Sequence, residues 1–267
     1  MLNSTTLKLA VNAFYDYQAI RIAMGGRLKI KKDGEDQIIP EAQTETWYLS
    51  DKDRAIFMEI YDDAVNQEKR ILSWITKELK DQRIYTEFLK GVKGVGPIMA
   101  AVIISEYDIH RATTVSKLWA FTGIAPGKDR MVKGEKSSFN KWLRTKMCGV
   151  LAGSFIKCQS SYALEYYYPY KSRLEQEQNT VQGSDKKWCD ERAGHRDKAA
   201  KRYMIKMFLK DLYVAWRTIE GLEVRPPYQE AYLGHSHNER AIEGETTKQS
   251  ERATLPEEPI NIERAVF

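Results

Sequence analysis

The sequence predicts a mainly α-helical fold: a helical bundle built around a glycine-rich turn between two helices, with a long coiled-coil-like helix near the N-terminus. Apolar residues recur at helical spacing over several long segments, whereas the alternating pattern typical of strands is scarce. Clusters of Gly and Pro separate these segments, and three glycines fall within residues 91–96. The 267 residues, 42% hydrophobic and 30% charged, are enough for a sizeable core.

The first 85 residues predict an N-terminal helical region. Residues 5–24 have helical spacing, and we expect Gly25 and Gly26 to end that helix. Residues 25–50 predict a polar loop, and Ser50 or Asp51 predicts the N-cap of a helix that reaches about Lys80. Its length and charged flanks are typical of a coiled-coil-like helix, but an ordinary bundle helix is an equal alternative. The coiled-coil interpretation predicts a homo-oligomer.

Residues 86–232 predict a second domain, and residues 233–267 predict an acidic, disordered tail. We expect Pro169 to interrupt one helix of this domain. The strongest amphipathic pattern spans residues 195–216. Its expected core residues are Tyr203, Met207, Leu209, Leu212, Tyr213 and Trp216.

Basic charge is concentrated in two segments, and this distribution predicts a polyanion as the partner. Nine Lys or Arg residues lie between positions 111 and 146, and eight lie between 192 and 217, against two acidic residues in each segment. Solvated helix faces are the alternative. No run of about 20 apolar residues is present, so we expect no membrane partner and a cytoplasmic location. The cysteines are three and widely spaced, which predicts reduced thiols and neither disulfides nor a metal site.

The segment Val92-Lys93-Gly94-Val95-Gly96-Pro97 matches a helix-hairpin-helix motif. Bare glycine backbone and the free N–H groups at the start of the next helix favour a phosphate. Such a contact reads the backbone and not the bases. The alternative is an interhelical turn without a ligand. The predicted contacts are Lys93, Gly94, Val95, Gly96 and Ile98.

Several further motifs follow this hairpin at characteristic positions. They comprise Glu106, Asp108, Leu118, Phe121, Gly123-Ile-Ala-Pro126, a basic loop, and Asn140-Lys-Trp-Leu143-Arg144. Together with the hairpin they resemble the C-terminal domain of the insertion sequence 110/116/902 transposase family, over about residues 50–232. The basic loop and the helix after it predict a second phosphate-binding surface made of Lys128, Arg130, Lys133, Lys136, Asn140, Lys141 and Arg144.

The resemblance implies DNA as the partner, action as an oligomer, and guidance by a structured RNA. It also implies an N-terminal DEDD domain, similar to RuvC-type nucleases, that binds divalent metal. The first 85 residues lack the alternating pattern of such a sheet, so we expect that half to be absent from this chain. We therefore expect no cofactor, and Mg²⁺ only if another chain supplies the DEDD domain.

The family also uses a serine after the Gly-Leu-Ala-Pro motif as the attacking nucleophile. The matching place here holds Lys133, and the nearest serines are Ser137 and Ser138. No neighbouring base is visible in the sequence, so helix capping or phosphate contact is the alternative role.

Three functions remain open: a DNA-binding protein of transposition or recombination, a serine-dependent strand-transfer recombinase that works with a DEDD partner, and a helical interaction protein that binds no nucleic acid. The sequence alone leaves open whether the chain is an enzyme.

Overall fold

The computed structural model describes residues 4–28, 50–125, 134, 136–181 and 185–226. These residues are mainly helical, as predicted. Most of the predicted polar loop and the whole predicted tail from residue 233 lie outside the described residues. The division at residue 85 stays a prediction, although one hydrophobic core contains residues from both sides of it, such as Leu7, Ile75 and Ile103.

The helices of the described residues follow one another along the chain. They are α1 (Ser4–Arg27), α2 (Asp51–Glu78), α3 (Arg83–Glu87), α4 (Pro97–Glu106), α5 (Val115–Thr122), α6 (Lys141–Thr145), α7 (Ala152–Lys157), α8 (Tyr168–Gln176) and α9 (Ala193–Ile219). Two 3-10 turns, Leu79–Asp81 and Leu89–Gly91, flank α3. A π-helical segment, Lys146–Leu151, joins α6 to α7 without a break, and another, Ala163–Tyr167, leads into α8.

Helices α1 and α2 pack against each other as an antiparallel pair. Arg21 forms an ion pair with Glu68, and Arg54 donates a hydrogen bond to the Leu28 carbonyl at 3.4 Å. Ser50 is the N-cap of α2, as predicted, and its hydroxyl accepts from the Asp53 amide. These contacts fix the direction of the pair.

The prediction that Gly25 and Gly26 end the first helix is wrong, because α1 continues to Arg27. The side chain of Tyr61 on α2 lies 3.3 Å from the place a Cβ of Gly25 would occupy, so the two helices approach closely there. Leu28, just beyond α1, is buried. Packing against α2 and burial of Leu28 outweigh the helix-breaking tendency of about 1 kcal/mol per glycine.

Helix α4 forms the centre of the core, since Met99 through Ser105 are all buried. Helix α9 contributes to the same core, and five of its six predicted core residues are buried. Tyr203 is the exception: it is half-buried and stacks on Tyr170, with ring centroids 4.3 Å apart.

The prediction that Pro169 interrupts its helix is also wrong. The helical run continues from the π-helical segment Ala163–Tyr167 into α8, and Pro169 lies in the first turn of α8. Proline has no N–H to donate to a preceding carbonyl, and the π-helical segment just before it adjusts the backbone register so that the run continues.

Candidate nucleic-acid interface

Residues 92–97, the predicted hairpin, lead directly into α4. Gly94 holds this hairpin to α7. Its φ of +102° lies in the left-handed region, and a Cβ there would lie 2.7 Å from Cδ1 of Phe155. The Ser154 hydroxyl donates a hydrogen bond to the Gly94 carbonyl at 2.8 Å. Glycine is therefore required at this position by the fold itself, whatever the hairpin binds.

Gly96 has a different environment from Gly94. It is exposed, and no heavy atom of the described residues lies within 4 Å of the place its Cβ would occupy. It is the N-cap of α4, with Pro97 at the first helical position, and no side chain of the described residues caps the helix. The Gly96 carbonyl accepts from the Ala100 amide. The Gly96 end of α4 therefore offers uncapped backbone N–H groups to an anion.

Exposed lysines lie on the segments that adjoin this end of α4. Lys93, which the sequence predicted, is exposed, and so are two lysines that the prediction missed, Lys90 and Lys157. Lys90 lies one turn before Lys93, and Lys157 follows the α7 residues that contact Gly94. Val95 and Ile98 are half-buried and pack against the core. We call Gly96 and these three lysines the open end of α4.

Asn140 lies at the other end of α4. Its Oδ1 accepts from the Leu143 amide at 3.0 Å, which makes Asn140 the N-cap of α6. Its Nδ2 donates to Oε2 of Glu106 at 2.8 Å, and Oε1 of Glu106 lies 3.0 Å from Nζ of Lys8. We call Lys8, Glu106 and Asn140 the closed end of α4, because the side chains there bind one another.

The two candidate serines precede this cap. The Ser137 hydroxyl donates to the Phe139 carbonyl at 2.9 Å and accepts from the Phe139 amide at 3.4 Å. Ser138 is exposed. Contacts within the described residues join neither serine to a histidine or a carboxylate, and the helix cap is Asn140 rather than a serine.

The second predicted phosphate-binding surface is described only in part. Lys136 and Lys141 are exposed, and Arg144 is half-buried, with its guanidinium 5.0 Å from the centroid of the Phe139 ring. The remaining three predicted members lie outside the described residues: Lys128, Arg130 and Lys133.

The two predicted surfaces are not one cluster, because α4 separates them. Ten residues of α-helix measure about 15 Å, and the hairpin lies at one end while Asn140 lies at the other. The helical run 141–157 lies alongside α4, since it starts at Asn140 and reaches Gly94 through Ser154. Lys141, Thr145, Gly149 and Lys157 are exposed along this run. The helical run 141–157 therefore links the two ends of α4. Its exposed face has one lysine near each terminus, Lys141 and Lys157.

Part of the basic segment of α9 lies near the π-helical segment Lys146–Leu151 and near α5. Both Arg144 and Arg202 act electrostatically on the thiol of Cys148, although burial has the larger effect and raises the pKa of Cys148 to about 11. The ammonium of Lys206 lies 5.6 Å from the Trp119 ring centroid, and the Trp119 indole donates to the Lys206 carbonyl. Arg202 and Lys206 were recognised in the sequence only as part of a basic segment, and their position beside the π-helical segment Lys146–Leu151 and α5 required the fold.

Two further features bear on the function: metal sites and membrane-spanning helices. Within the described residues no group of three or more His, Cys, Asp or Glu side chains could hold a metal ion. None of the helices in the same ranges is both long and apolar enough to cross a membrane.

Comparison with known proteins gives one match. The model of the family "Transposase IS116/IS110/IS902" matches residues 86–167, a segment that contains the hairpin, α4, α5 and the helical run 141–157. No curated protein and no solved structure matches the chain. The expected resemblance is confirmed for this segment: residues 86–167 are similar to the transposases of the IS116/IS110/IS902 family.

Proposed function

We propose that this protein binds DNA through the phosphate backbone as part of DNA transposition or recombination, and that the open end of α4 is its first contact. The observation that carries the proposal is the exposed, uncapped N-terminus of α4 at Gly96, with the exposed Lys90, Lys93 and Lys157 on the segments that adjoin it. Backbone amides and lysines bind phosphate oxygens without reading base identity.

The exposed face of the helical run 141–157 extends this contact toward the closed end. Lys141 and Lys136 lie near Asn140, and Lys157 lies near the hairpin. A duplex lying along this face would meet lysines at both of its ends. Glycine at position 149 leaves open space between them, because no heavy atom of the described residues lies within 4 Å of its Cβ position.

The proposal is tested by measuring affinity for a fluorescent DNA duplex and for a structured RNA at several salt concentrations. Because each neutralised phosphate releases counterions, affinity should fall by about tenfold or more between 50 and 200 mM salt. The double variant Lys90→Gln/Lys93→Gln should lower affinity and the salt slope. Its matched control is Lys52→Gln/Lys69→Gln, which removes the same charge from exposed positions on α2.

Absence of binding to both the DNA duplex and the RNA would contradict the proposal and favour a helical interaction protein. Binding whose affinity does not change with salt would contradict it as well. Equal losses in the two double variants would show that net charge, and not the open end, drives binding.

A second candidate function is strand transfer through a serine, which the exposed Ser138 beside the start of α6 favours. In that case a separate DEDD-type chain with Mg²⁺ would supply the metal-dependent chemistry. A covalent protein–DNA adduct that disappears in Ser137→Ala/Ser138→Ala would support this function, and its absence with a DEDD partner present would contradict it.

Self-association is a further part of the proposal. Leu9 and Ile20 lie on the same face of α1 and are 65% and 41% exposed, and Ile56 on α2 is 51% exposed. Exposed apolar side chains that form a patch mark a surface that packs against another protein surface. Light scattering should show an oligomer that Leu9→Glu/Ile20→Glu dissociates, whereas a monomeric wild type would contradict self-association.

A further inference from the structure

Helix α1 lies outside the segment that matches the transposase family, yet it contributes a charge to the closed end of α4. Lys8 is on α1, Glu106 ends α4, and Asn140 begins α6. The carboxylate of Glu106 joins the other two, with one oxygen 3.0 Å from Lys8 Nζ and the other 2.8 Å from Asn140 Nδ2. Three helices that are distant in the sequence therefore meet at one side chain.

Glu106 depends on both partners because its side chain is only 4% exposed. A carboxylate that is removed from water is costly unless it is paired and hydrogen-bonded. Lys8 supplies the opposite charge while remaining 48% exposed, so its own loss of hydration is smaller. Removing Lys8 would leave the carboxylate with the Asn140 amide as its described partner.

Asn140 transmits the position of Glu106 to the helix that follows. Its Nδ2 is bound to Glu106 while its Oδ1 caps the Leu143 amide, and its own amide donates to the Phe121 carbonyl at 2.9 Å. One side chain thus fixes the start of α6 relative to α4. Lys141 lies in the first turn of α6.

A second contact between α1 and α6 lies beside the first. The ammonium of Lys146 lies 3.1 Å from the Tyr15 ring centroid, and Tyr15 meets the Trp142 ring edge-on at 5.7 Å. Burial lowers the pKa of Lys146 below its ordinary value. Cation–π contacts of this kind help to hold the two helices in one relative position.

We propose that Lys8 and Glu106 are positioning residues of the nucleic-acid interface: through Asn140 they set the start of α6, so that helix α1 is a working part of the transposase-like domain. The inference rests on the proposed DNA binding. Neither residue touches DNA in this account. They act by holding the backbone on which Lys141 and Arg144 are displayed.

The experiment compares wild type, Lys8→Met, Glu106→Gln and the double variant Lys8→Met/Glu106→Gln. The first measurement is hydrogen exchange of the Leu143 amide region, with the buried middle of α9 as the reporter of global unfolding. The second is the salt slope of DNA affinity. The control is Arg27→Met, which removes the same charge from an exposed position on α1.

We expect Lys8→Met to accelerate exchange at the start of α6 by about tenfold and to lower DNA affinity by a similar factor, because the buried carboxylate loses its counter-charge. The double variant replaces the Glu106 carboxylate by a neutral amide that can still accept from Asn140. Its exchange rate and DNA affinity should therefore return to within about threefold of wild type. Arg27→Met should leave both measurements unchanged.

A double variant no better than Lys8→Met would overturn the inference, as would a Lys8→Met variant that behaves like Arg27→Met. If Lys8→Met does not fold, the double variant decides alone: recovered folding supports the inference and continued failure overturns it. If wild type does not bind DNA, the proposed function fails, whereas hydrogen exchange still tests the tie between α1 and α6.

Discussion

The two ends of α4 differ in whether other side chains of the protein bind their polar groups. At the open end, Gly96 is exposed and no side chain of the described residues caps the helix. At the closed end, Glu106 is bound by Lys8 from α1 and by Asn140 from α6. One helix therefore has an N-terminus that is free to accept a ligand and a C-terminus whose charged side chain is already paired.

This difference suggests a separate role for each end of α4: contact with the ligand at the open end, and positioning of α6 at the closed end. Asn140 was predicted as a nucleic-acid contact of the second phosphate-binding surface, but both ends of its side-chain amide are engaged within the protein. Its assignment as a contact stays a prediction, and its geometry supports a positioning role. Binding through the open end needs exposed amides, whereas alignment of the second surface needs a fixed closed end.

The largest effect is expected where the hairpin meets α7. Gly94→Ala places a Cβ against Phe155 at a positive φ, so we expect a loss of about 2 to 3 kcal/mol in the free energy of unfolding. Gly96→Ala meets open space and should cost about 1 kcal/mol or less. Urea denaturation of both variants measures the difference, and equal losses would contradict the distinction between the two glycines.

A smaller effect is expected at the closed end. Asn140→Ala removes the cap of α6 and one partner of Glu106, which should lower the free energy of unfolding by about 1 to 2 kcal/mol. Ser137→Ala removes contacts with Phe139 alone and should stay within about 0.5 kcal/mol of wild type. Thermal and urea unfolding of the two variants provide the test. The reverse order would indicate that the serine turn, and not the asparagine cap, fixes this end.

The smallest effect concerns the response to alkaline pH. Tyr107 follows Glu106, and burial raises its pKa above the ordinary value, although its hydrogen bond with Thr122 acts in the other direction. Because the folded state disfavours the phenolate, this contribution to stability is full below about pH 10 and is lost as pH rises further.

Tyr107→Phe should therefore reduce the loss of unfolding free energy above pH 10 by about 1.4 kcal/mol per pH unit. Urea denaturation between pH 9 and 11 measures this slope. An unchanged slope would show that Tyr107 ionises without unfolding. Burial and Asp211 also raise the pKa of Tyr162, and burial raises that of Tyr167, so both residues would contribute to the loss that remains.

The sequence predicted features that depend mainly on neighbouring residues in the chain, such as the ends of helices. Ser50 was recognised as an N-cap because its side chain serves the next turn, and Gly123 ends α5 in the left-handed conformation. The helical class and most of the α9 core followed from periodicity. The same reasoning failed at Gly25 and Pro169, where packing on Tyr61 and a preceding π-helical segment override the local preference.

The candidate site was predictable only in part, because its parts meet through long-range contacts. The hairpin and its lysine were visible as a motif of adjacent residues. The approach of Phe155 to Gly94 and the pairing of Lys8 with Glu106 join residues far apart in the chain, and no spacing rule reveals them. Lys157 was missed for the same reason, since only the fold brings α7 to the hairpin.

The most direct test of the account is the DNA affinity of Gly96→Asp compared with that of Gly96→Asn. Both side chains can cap α4, so both variants should unfold at equal or higher urea concentration than wild type. The carboxylate would repel a phosphate at this end, and we expect Gly96→Asp to bind DNA at least about tenfold more weakly than Gly96→Asn at low salt. Equal affinity of the two variants and wild type would contradict phosphate binding at the open end of α4.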